Sequence, residues 1–257
     1  DLFFRRIEKD QDWYLFSPSE VNLHNVWGAE FDKCYRKYCK KADAGEIKNF
    51  KIIKAKDLWK KILRVLFETG HPWITFKDAC NLRSPQQHTG VVHSSNLCTE
   101  ITLNTSQDEI AVCNLGSVNL THHLKEGELD QEKLEKTVNT AIRMLDNVIN
   151  INYYAVPAAE NSNMKHRPIG LGIMGFHDSL YMLNLPYASD KAVEFADRSM
   201  EAVSYYAIKA SSDLAKERGT YESYEGSLWS KGILPIDSVT SLKEHRGEGY
   251  AEVDLSK

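Results

Sequence analysis

The clearest periodicity runs through residues 57–68, where Trp59, Ile62, Leu63, Leu66 and Phe67 recur at helical spacing and Gly70 and Pro72 follow as stop signals. This pattern predicts an amphipathic helix. Directly after it, Trp73-Ile74-Thr75-Phe76 has the β-branched and aromatic content of a short buried strand. Residues 96–120 predict a second extended zone, with Ile101-Thr102-Leu103 and Ile110-Ala111-Val112-Cys113 on either side of a polar turn over 104–108. A helix with Asp130 as its N-cap follows, and Leu134, Val138, Ala141, Ile142, Leu145 and Ile149 form its apolar stripe. A longer helix is predicted over 190–218, closed by Gly219, with Val193, Ala196, Met200, Val203 and Ala207 on one face. Residues 17–41 are polar and partly helical, and their basic run from Arg36 to Lys41 reads as a solvated face. The stretch after Gly219, rich in Gly, Ser and charge, predicts connecting loops. Helices alternating with short buried strands predict an α/β fold, and no repeat or flexible linker divides it.

Composition narrows the function classes. Hydrophobic residues at 42% and charged residues at 26% exclude wholesale disorder, collagen and coiled-coil architectures. The formal charge of -4 provides no basic field to neutralise a phosphate backbone, which disfavours nucleic acid as the principal partner. No window approaches the roughly 20 apolar residues of a membrane span, and Asp1-Leu2-Phe3-Phe4-Arg5-Arg6 lacks a signal layout, so a cytoplasmic location is expected. Cys34, Cys39, Cys80, Cys98 and Cys113 form an odd set without CxxC spacing, which predicts reduced thiols and no metal site. The chain starts without Met and stops without a terminating pattern, so it reads as a piece of something longer.

Gly170-Leu171-Gly172-Ile173-Met174-Gly175 satisfies G-x-G-x-x-G, and Asp190 falls where a ribose-binding acid would sit. The dinucleotide mechanism needs a buried strand delivering the first glycine, whereas residues 161–168 are polar and end in proline. Close helix packing at the glycines, with Asp190 helping to cap a helix, is the expectation instead.

The segment Asn96-Leu97-Cys98-Thr99-Glu100 places an amide, a thiol and a carboxylate at alternate positions. In an extended segment those three project to one side at roughly 6.5–7 Å spacing, within reach of one small ligand. A neighbouring carboxylate disfavours thiolate, so the arrangement suits chemistry in which the sulfur stays protonated or acts as a radical. A thiyl radical abstracts hydrogen from a sugar carbon, a carboxylate takes the proton of the hydroxyl there, and an amide holds neighbouring oxygens. Cys113, on an adjacent strand, would supply a reducing thiol. The plain alternative is that Cys98 is one more small buried hydrophobe.

These words resemble a known family. Ser95-Asn96-Leu97-Cys98-Thr99-Glu100-Ile101 and the run Ala111-Val112-Cys113-Asn114-Leu115-Gly116-Ser117-Val118-Asn119-Leu120 closely resemble the large, catalytic subunit of class I ribonucleotide reductase. Asp1-Leu2-Phe3-Phe4, Asp12-Trp13-Tyr14-Leu15-Phe16, Val26-Trp27-Gly28 and Arg167-Pro168-Ile169-Gly170-Leu171-Gly172 are similar to that family's text in the same order. The resemblance implies a ten-stranded α/β barrel whose central finger loop carries the radical cysteine. It implies that Cys98 takes the 3′ hydrogen of a ribonucleotide, Glu100 is the base for the 3′ hydroxyl, and Asn96 hydrogen-bonds the substrate. Leu97 and Thr99 complete the substrate-binding loop and favour class I over the cobalamin-dependent class. Cys113 would be one of two thiols oxidised as the 2′ hydroxyl leaves as water. None of Cys34, Cys39 and Cys80 stands in the motif of its partner.

By the same resemblance, residues 1–257 are an internal part of the catalytic barrel domain, lacking the allosteric N-terminal region and the second half-barrel. No cofactor would bind this segment. A dimetal small subunit would supply the radical, ATP and deoxynucleotide effectors would bind elsewhere, and thioredoxin or glutaredoxin would reduce the disulfide. The full-length subunit would form a homodimer and act on ribonucleoside diphosphates. Two other readings compete: a cysteine hydrolase or acyltransferase using Cys98, His93 and Glu100, and a packing fragment with no turnover of its own.

Overall fold

A computed structural model describes residues 1–246. The described chain divides into two compact units, residues 1–106 with 225–246, and residues 107–224. Neither boundary is marked in composition, because Ser106-Gln107 lies inside the polar turn over 104–108.

The first unit begins with α1 (Leu2–Glu8), β1 (Asp12–Phe16), α2 (Gly28–Asp43), β2 (Phe50–Lys54), α3 (Ala55–Thr69) and α4 (Lys77–Arg83). β1 and β2 pair antiparallel, from Asp12 opposite Lys54 to Phe16 opposite Phe50. Their ribbon covers a core of Leu2, Tyr35 and Cys39, with Trp13, Tyr14, Phe16, Leu23 and Phe31 packed around it. Trp13 stacks on Tyr35 at 4.4 Å, and the Tyr35 hydroxyl accepts from the Tyr14 amide and donates to the Tyr14 carbonyl. Burial pushes the Tyr35 hydroxyl's pKa well up, so it stays protonated and keeps that donor.

The predicted helix over 57–68 is α3, ended by left-handed Gly70. Its apolar stripe is only partly covered: Trp59 packs edge-on against Phe4, while Phe67 is 93% exposed. Trp73-Ile74-Thr75-Phe76 is not a buried strand. Trp73, Ile74 and Phe76 are exposed, and no strand pairs with them among the described residues; Phe76 instead occupies the N-cap position of α4. The apolar run has strand composition but no neighbour to complete a ladder.

In the second unit, β3 (Asn114–Asn119) leads through a 3₁₀ turn (Leu120–His123) to the two-residue strands β4 (Leu124–Lys125) and β5 (Glu128–Leu129). Then come α5 (Gln131–Ile151), α6 (Pro157–His166), β6 (Ile169–Met174), α7 (Phe176–Met182) and α8 (Asp190–Arg218). The chain returns to the first unit with α9 (Asp237–Arg246), where only loops were expected. The Ile101–Leu103 and Ile110–Cys113 runs form no strand, and the regular pairing starts one residue later, at Asn114.

β3 and β6 pair in parallel, from Asn114 opposite Ile169 to Asn119 opposite Met174. Val118 joins Leu134, Val138, Ile142, Val203, Ala210 and Leu214 in the buried core, with Ile169, Leu171 and Ile173 packed against it. α5 is capped by Asp130, whose carboxylate accepts from the Lys133 amide, and its predicted stripe is the buried one. α8 has the predicted ends, but its buried positions are Ala192, Ser199, Val203, Ala210 and Leu214, while Val193 is 68% exposed. Of the predicted face Val203 is buried, but Val193 and Met200 point outward, and Leu214 with the small residues Ala192, Ser199 and Ala210 completes the inward side instead.

The G-x-G-x-x-G run is β6 itself, followed by the start of α7. Its glycines serve sheet and turn rather than helix packing. Gly175 has φ +72 at the N-cap of α7, and a β-carbon there would lie 2.5 Å from Asn119 Oδ1, which accepts from the amide and hydroxyl of Thr121. Gly175→Ala therefore combines left-handed strain of about 1–2 kcal/mol with displacement of a side-chain acceptor worth about 1 kcal/mol. Urea unfolding is expected to show a loss of at least ~2 kcal/mol, and a loss below ~0.5 kcal/mol would contradict this account.

Candidate functional site

The segment that carries Cys98 is an irregular excursion of the first unit with a fixed stem. Asn81 of α4, 3% exposed, clamps the backbone of Val92: its Nδ2 donates to the Val92 carbonyl at 2.9 Å and its Oδ1 accepts from the Val92 amide at 2.8 Å. Val91 bridges Thr105 antiparallel, with the Thr105 amide donating to the Val91 carbonyl. The His93 ring contacts the Thr105 hydroxyl through Nδ1 at 2.7 Å and Asn25 Oδ1 through Nε2 at 2.9 Å, and it stacks on His24 at 4.2 Å. Residues 94–104 leave and return through this stem. Asn81 had no signal in hydrophobic periodicity, since the position is helical, polar and lone.

Between the stem's arms the backbone turns rather than extends. The Thr99 amide donates to the Asn96 carbonyl at 3.2 Å, and Thr99 has φ +67. The expected one-sided row of Asn96, Cys98 and Glu100 is therefore replaced by a turn that brings its ends together. Asn96 Nδ2 donates to Glu100 Oε1 at 2.7 Å, while Asn96 Oδ1 accepts from the Ile101 amide at 3.1 Å. The Glu100 carboxylate is thus oriented by an amide donor. Cys98 stands exposed near the tip beside Leu97, which is 90% exposed. It is not the small buried hydrophobe of the plain alternative.

His93 does not meet Cys98, because both its ring nitrogens are engaged elsewhere. Desolvation, followed by electrostatic repulsion from the side of His24 and Lys77, lowers its pKa. These features leave the hydrolase reading without its nucleophile–base contact. Cys34, Cys39 and Cys80 are unsuited to ready ionisation: burial raises the pKa of Cys39 and Cys80, and desolvation with the Glu30 carboxylate raises that of Cys34. Among the described residues no group of three or more His, Cys, Asp or Glu side chains is arranged to hold a metal ion, and no helix is long and apolar enough to cross a membrane.

Cys113 belongs to the second unit, immediately before β3. Its sulfur lies beside β6, where a β-carbon on Gly170 would be 3.7 Å from Sγ and 2.6 Å from Leu115 Cδ2. Asn114 anchors the next position, donating to Asn163 Oδ1 at 3.0 Å and to the Pro168 carbonyl at 3.1 Å. On the other side of Cys113, Glu109 is 5% exposed; Lys165 Nζ lies 2.5 Å from its Oε1, and His166 Nε2 lies 3.2 Å from its Oε2. Burial alone would raise the Glu109 carboxyl's pKa, but the hydrogen bonds and positive charge supplied by Lys165 and His166 outweigh it and hold the group below the usual carboxylate range. Sequence reasoning missed this cluster, because no periodicity marks a buried carboxylate.

With this geometry in place, the comparisons decide the family. The ribonucleotide reductase barrel-domain family model matches residues 1–254. The chain belongs to that family. It is 57% identical, over its full length, to the ribonucleoside-diphosphate reductase subunit alpha of Chlamydia muridarum, of which it spans 24%. It is 43% identical over 238 residues to the ribonucleoside-diphosphate reductase large chain of Schizosaccharomyces pombe, covering 92% of this chain and 29% of that one. The large subunit of Variola virus is likewise 43% identical, over 239 residues, with 92% of this chain and 30% of the relative covered. The chain thus spans about a quarter to a third of the relatives it matches.

Thr99 provides a test of this turn. A β-branched residue at positive φ is strained by roughly 1–2 kcal/mol, and such strain collects at functional sites. In the full-length subunit, Thr99→Gly is expected to leave the melting temperature unchanged or slightly raised while lowering turnover at least threefold, because the Asn96–Glu100 contact loses its fixed frame. A drop in melting temperature of more than a few degrees would mean that the side chain, which donates to the Cys98 carbonyl, outweighs the strain it carries.

Proposed function

We propose that residues 1–257 are an internal part of the catalytic barrel of a ribonucleoside-diphosphate reductase, with Cys98 on the barrel's finger loop. The reading is carried by one coincidence: a family match across nearly the whole chain, and an exposed loop in which Asn96 orients Glu100 two residues from Cys98. The whole subunit acts on ribonucleoside diphosphates, with a small subunit supplying the radical through its own metals and thioredoxin or glutaredoxin supplying electrons. It works as a homodimer whose nucleotide effectors bind outside these residues.

The reaction balances on the residues named. The Cys98 thiyl radical takes the hydrogen atom from C3′, leaving a carbon radical and a Cys98 thiol. Glu100 takes the proton of the 3′ hydroxyl as the 2′ hydroxyl, protonated by one of the two reducing thiols, departs as water. The second thiol then gives a hydrogen atom to C2′, the pair closes to a disulfide and passes its remaining electron to the 3′ ketone, and Glu100 returns its proton to the 3′ oxygen. Cys98 returns its hydrogen to C3′ and is again a radical. Asn96 holds the substrate's oxygens and the Glu100 carboxylate together, and Leu97 and Thr99 complete the wall of the loop. Cys113 supplies one of the two reducing thiols; its partner belongs to a part of the longer subunit, since Cys34, Cys39 and Cys80 match no such motif. Residues 1–257 alone are therefore expected to give no turnover.

In the full-length subunit Cys98→Ser is expected to abolish deoxynucleotide formation with nucleotide binding nearly intact, because a serine O–H bond is too strong to yield the radical. Glu100→Gln keeps the Asn96 contact but not the base, so turnover should fall roughly 10²–10⁴-fold without unfolding. Steady-state assays and equilibrium nucleotide binding read both. A Glu100→Gln enzyme with near-normal kcat and collapsed affinity would make the residue a binder instead.

Cys113→Ser acts after hydrogen abstraction. Its expected signature is loss of multiple turnover with thioredoxin while nucleotide is still consumed, seen as trapped substrate radical or damaged nucleotide. Normal cycling of that variant would remove Cys113 from the reducing pair.

A further inference from the structure

Residues 110–113 form no helix and no strand, yet they carry a thiol whose placement the proposed chemistry needs. What fixes them is α6. Asn161 Nδ2 donates to the Asp108 carbonyl at 3.0 Å, Lys165 and His166 hold the two oxygens of Glu109, and the Ile110 amide donates to the Ala158 carbonyl at 3.1 Å. Beyond Cys113, Asn163 holds Asn114. One helix thus grips both flanks of an otherwise irregular segment, splinting positions 108–110 and 114 while Cys113 stands between them.

We infer that Glu109 is a positioning residue for Cys113: by docking on Lys165 and His166 it sets the path along which residues 110–113 deliver the sulfur to the sugar. The inference rests on the reading of Cys113 as a reducing thiol. Its grounds are the placement of Glu109 and the chemistry of burial. A buried carboxylate with charged partners is seldom more stabilising than apolar packing of the same volume, so stability gives little reason for one here. A carboxylate with an oxygen for each of two donors on one helix end is, however, a two-point lock, and it defines direction as well as distance. His166 is fixed in turn, its Nδ1 lying 2.7 Å from the Ser223 hydroxyl, and the Ser223 amide donates to the Lys165 carbonyl. The receiving surface is therefore held before Glu109 docks.

The test uses the full-length subunit with its small subunit, comparing Glu109→Ala and Glu109→Gln with Cys113→Ser. A displacement of about 1 Å in a reacting group costs up to ~10²-fold. Glu109→Ala is expected to lower kcat 10- to 100-fold with KM for the ribonucleoside diphosphate unchanged within about twofold, and to consume nucleotide without matching deoxynucleotide, the same uncoupling as Cys113→Ser. That uncoupling is the readout a merely structural role would not produce. Should Glu109→Ala fail to fold, Glu109→Gln decides by the same readouts: the amide keeps the volume but offers one acceptor where two are used, and a kcat loss of at least threefold with uncoupling is expected. Folded Glu109 variants that turn over within twofold of wild type, beside a Cys113→Ser enzyme that does not, would overturn the positioning role alone. Normal cycling by Cys113→Ser would overturn the thiol assignment and the positioning role with it.

Discussion

Two strands joined in parallel cannot be linked by a tight turn; the chain must leave one end of the pair and travel back to the other. That constraint organises the second unit. The pairing of Asn114 with Ile169 obliges residues 120–168 to form a return path, and α5 supplies its length while its Leu134, Val138 and Ile142 stripe covers the strands. The return also delivers α6 to the entrance of β3, where Asn163 meets Asn114 and the Pro168 carbonyl accepts from the same side chain. The backbone around Cys113 is therefore defined by a long-range pairing, although the cysteine itself lies outside the strand.

The helices were legible in the sequence in proportion to how regular their apolar stripes are, whether or not the fold covers them. α5 and α3 announce themselves, and α8 shows its end through Gly219. α6 does not. Its buried positions Ala159, Ser162, Asn163 and His166 have the spacing of a helical stripe, but three of the four are polar. A reading that follows hydrophobicity passes over such a helix, because its inward face is secured by hydrogen bonds with geometry no one-dimensional pattern records. Trp73 to Phe76 errs the other way, with strand composition and no strand to join.

At the candidate site the residue types were legible and their arrangement was not. An extended reading of residues 96–100 gives Asn96, Cys98 and Glu100 one direction, and that direction depends on every φ staying negative. Thr99 at φ +67 breaks the alternation, which a β-branched residue gives no reason to expect, and the turn instead closes Asn96 on Glu100. The stem shows the same limit. Asn81 and Val92 meet through backbone groups of Val92, which are the same whatever the residue, so only the folded chain reveals the clamp.

The parallel pair has a consequence for the order of events during synthesis. Position 114 lies 55 residues before position 169, so β3 emerges long before its neighbour exists. At roughly 5–20 residues per second that interval lasts about 3–11 s, during which α5 has formed but its covering partner α8 has not been made. β6, with glycine at two of its six positions, has little tendency to extend unaided and waits for β3 as a template. The apolar side of α5 is thus a nascent-chain surface that stays uncovered for seconds.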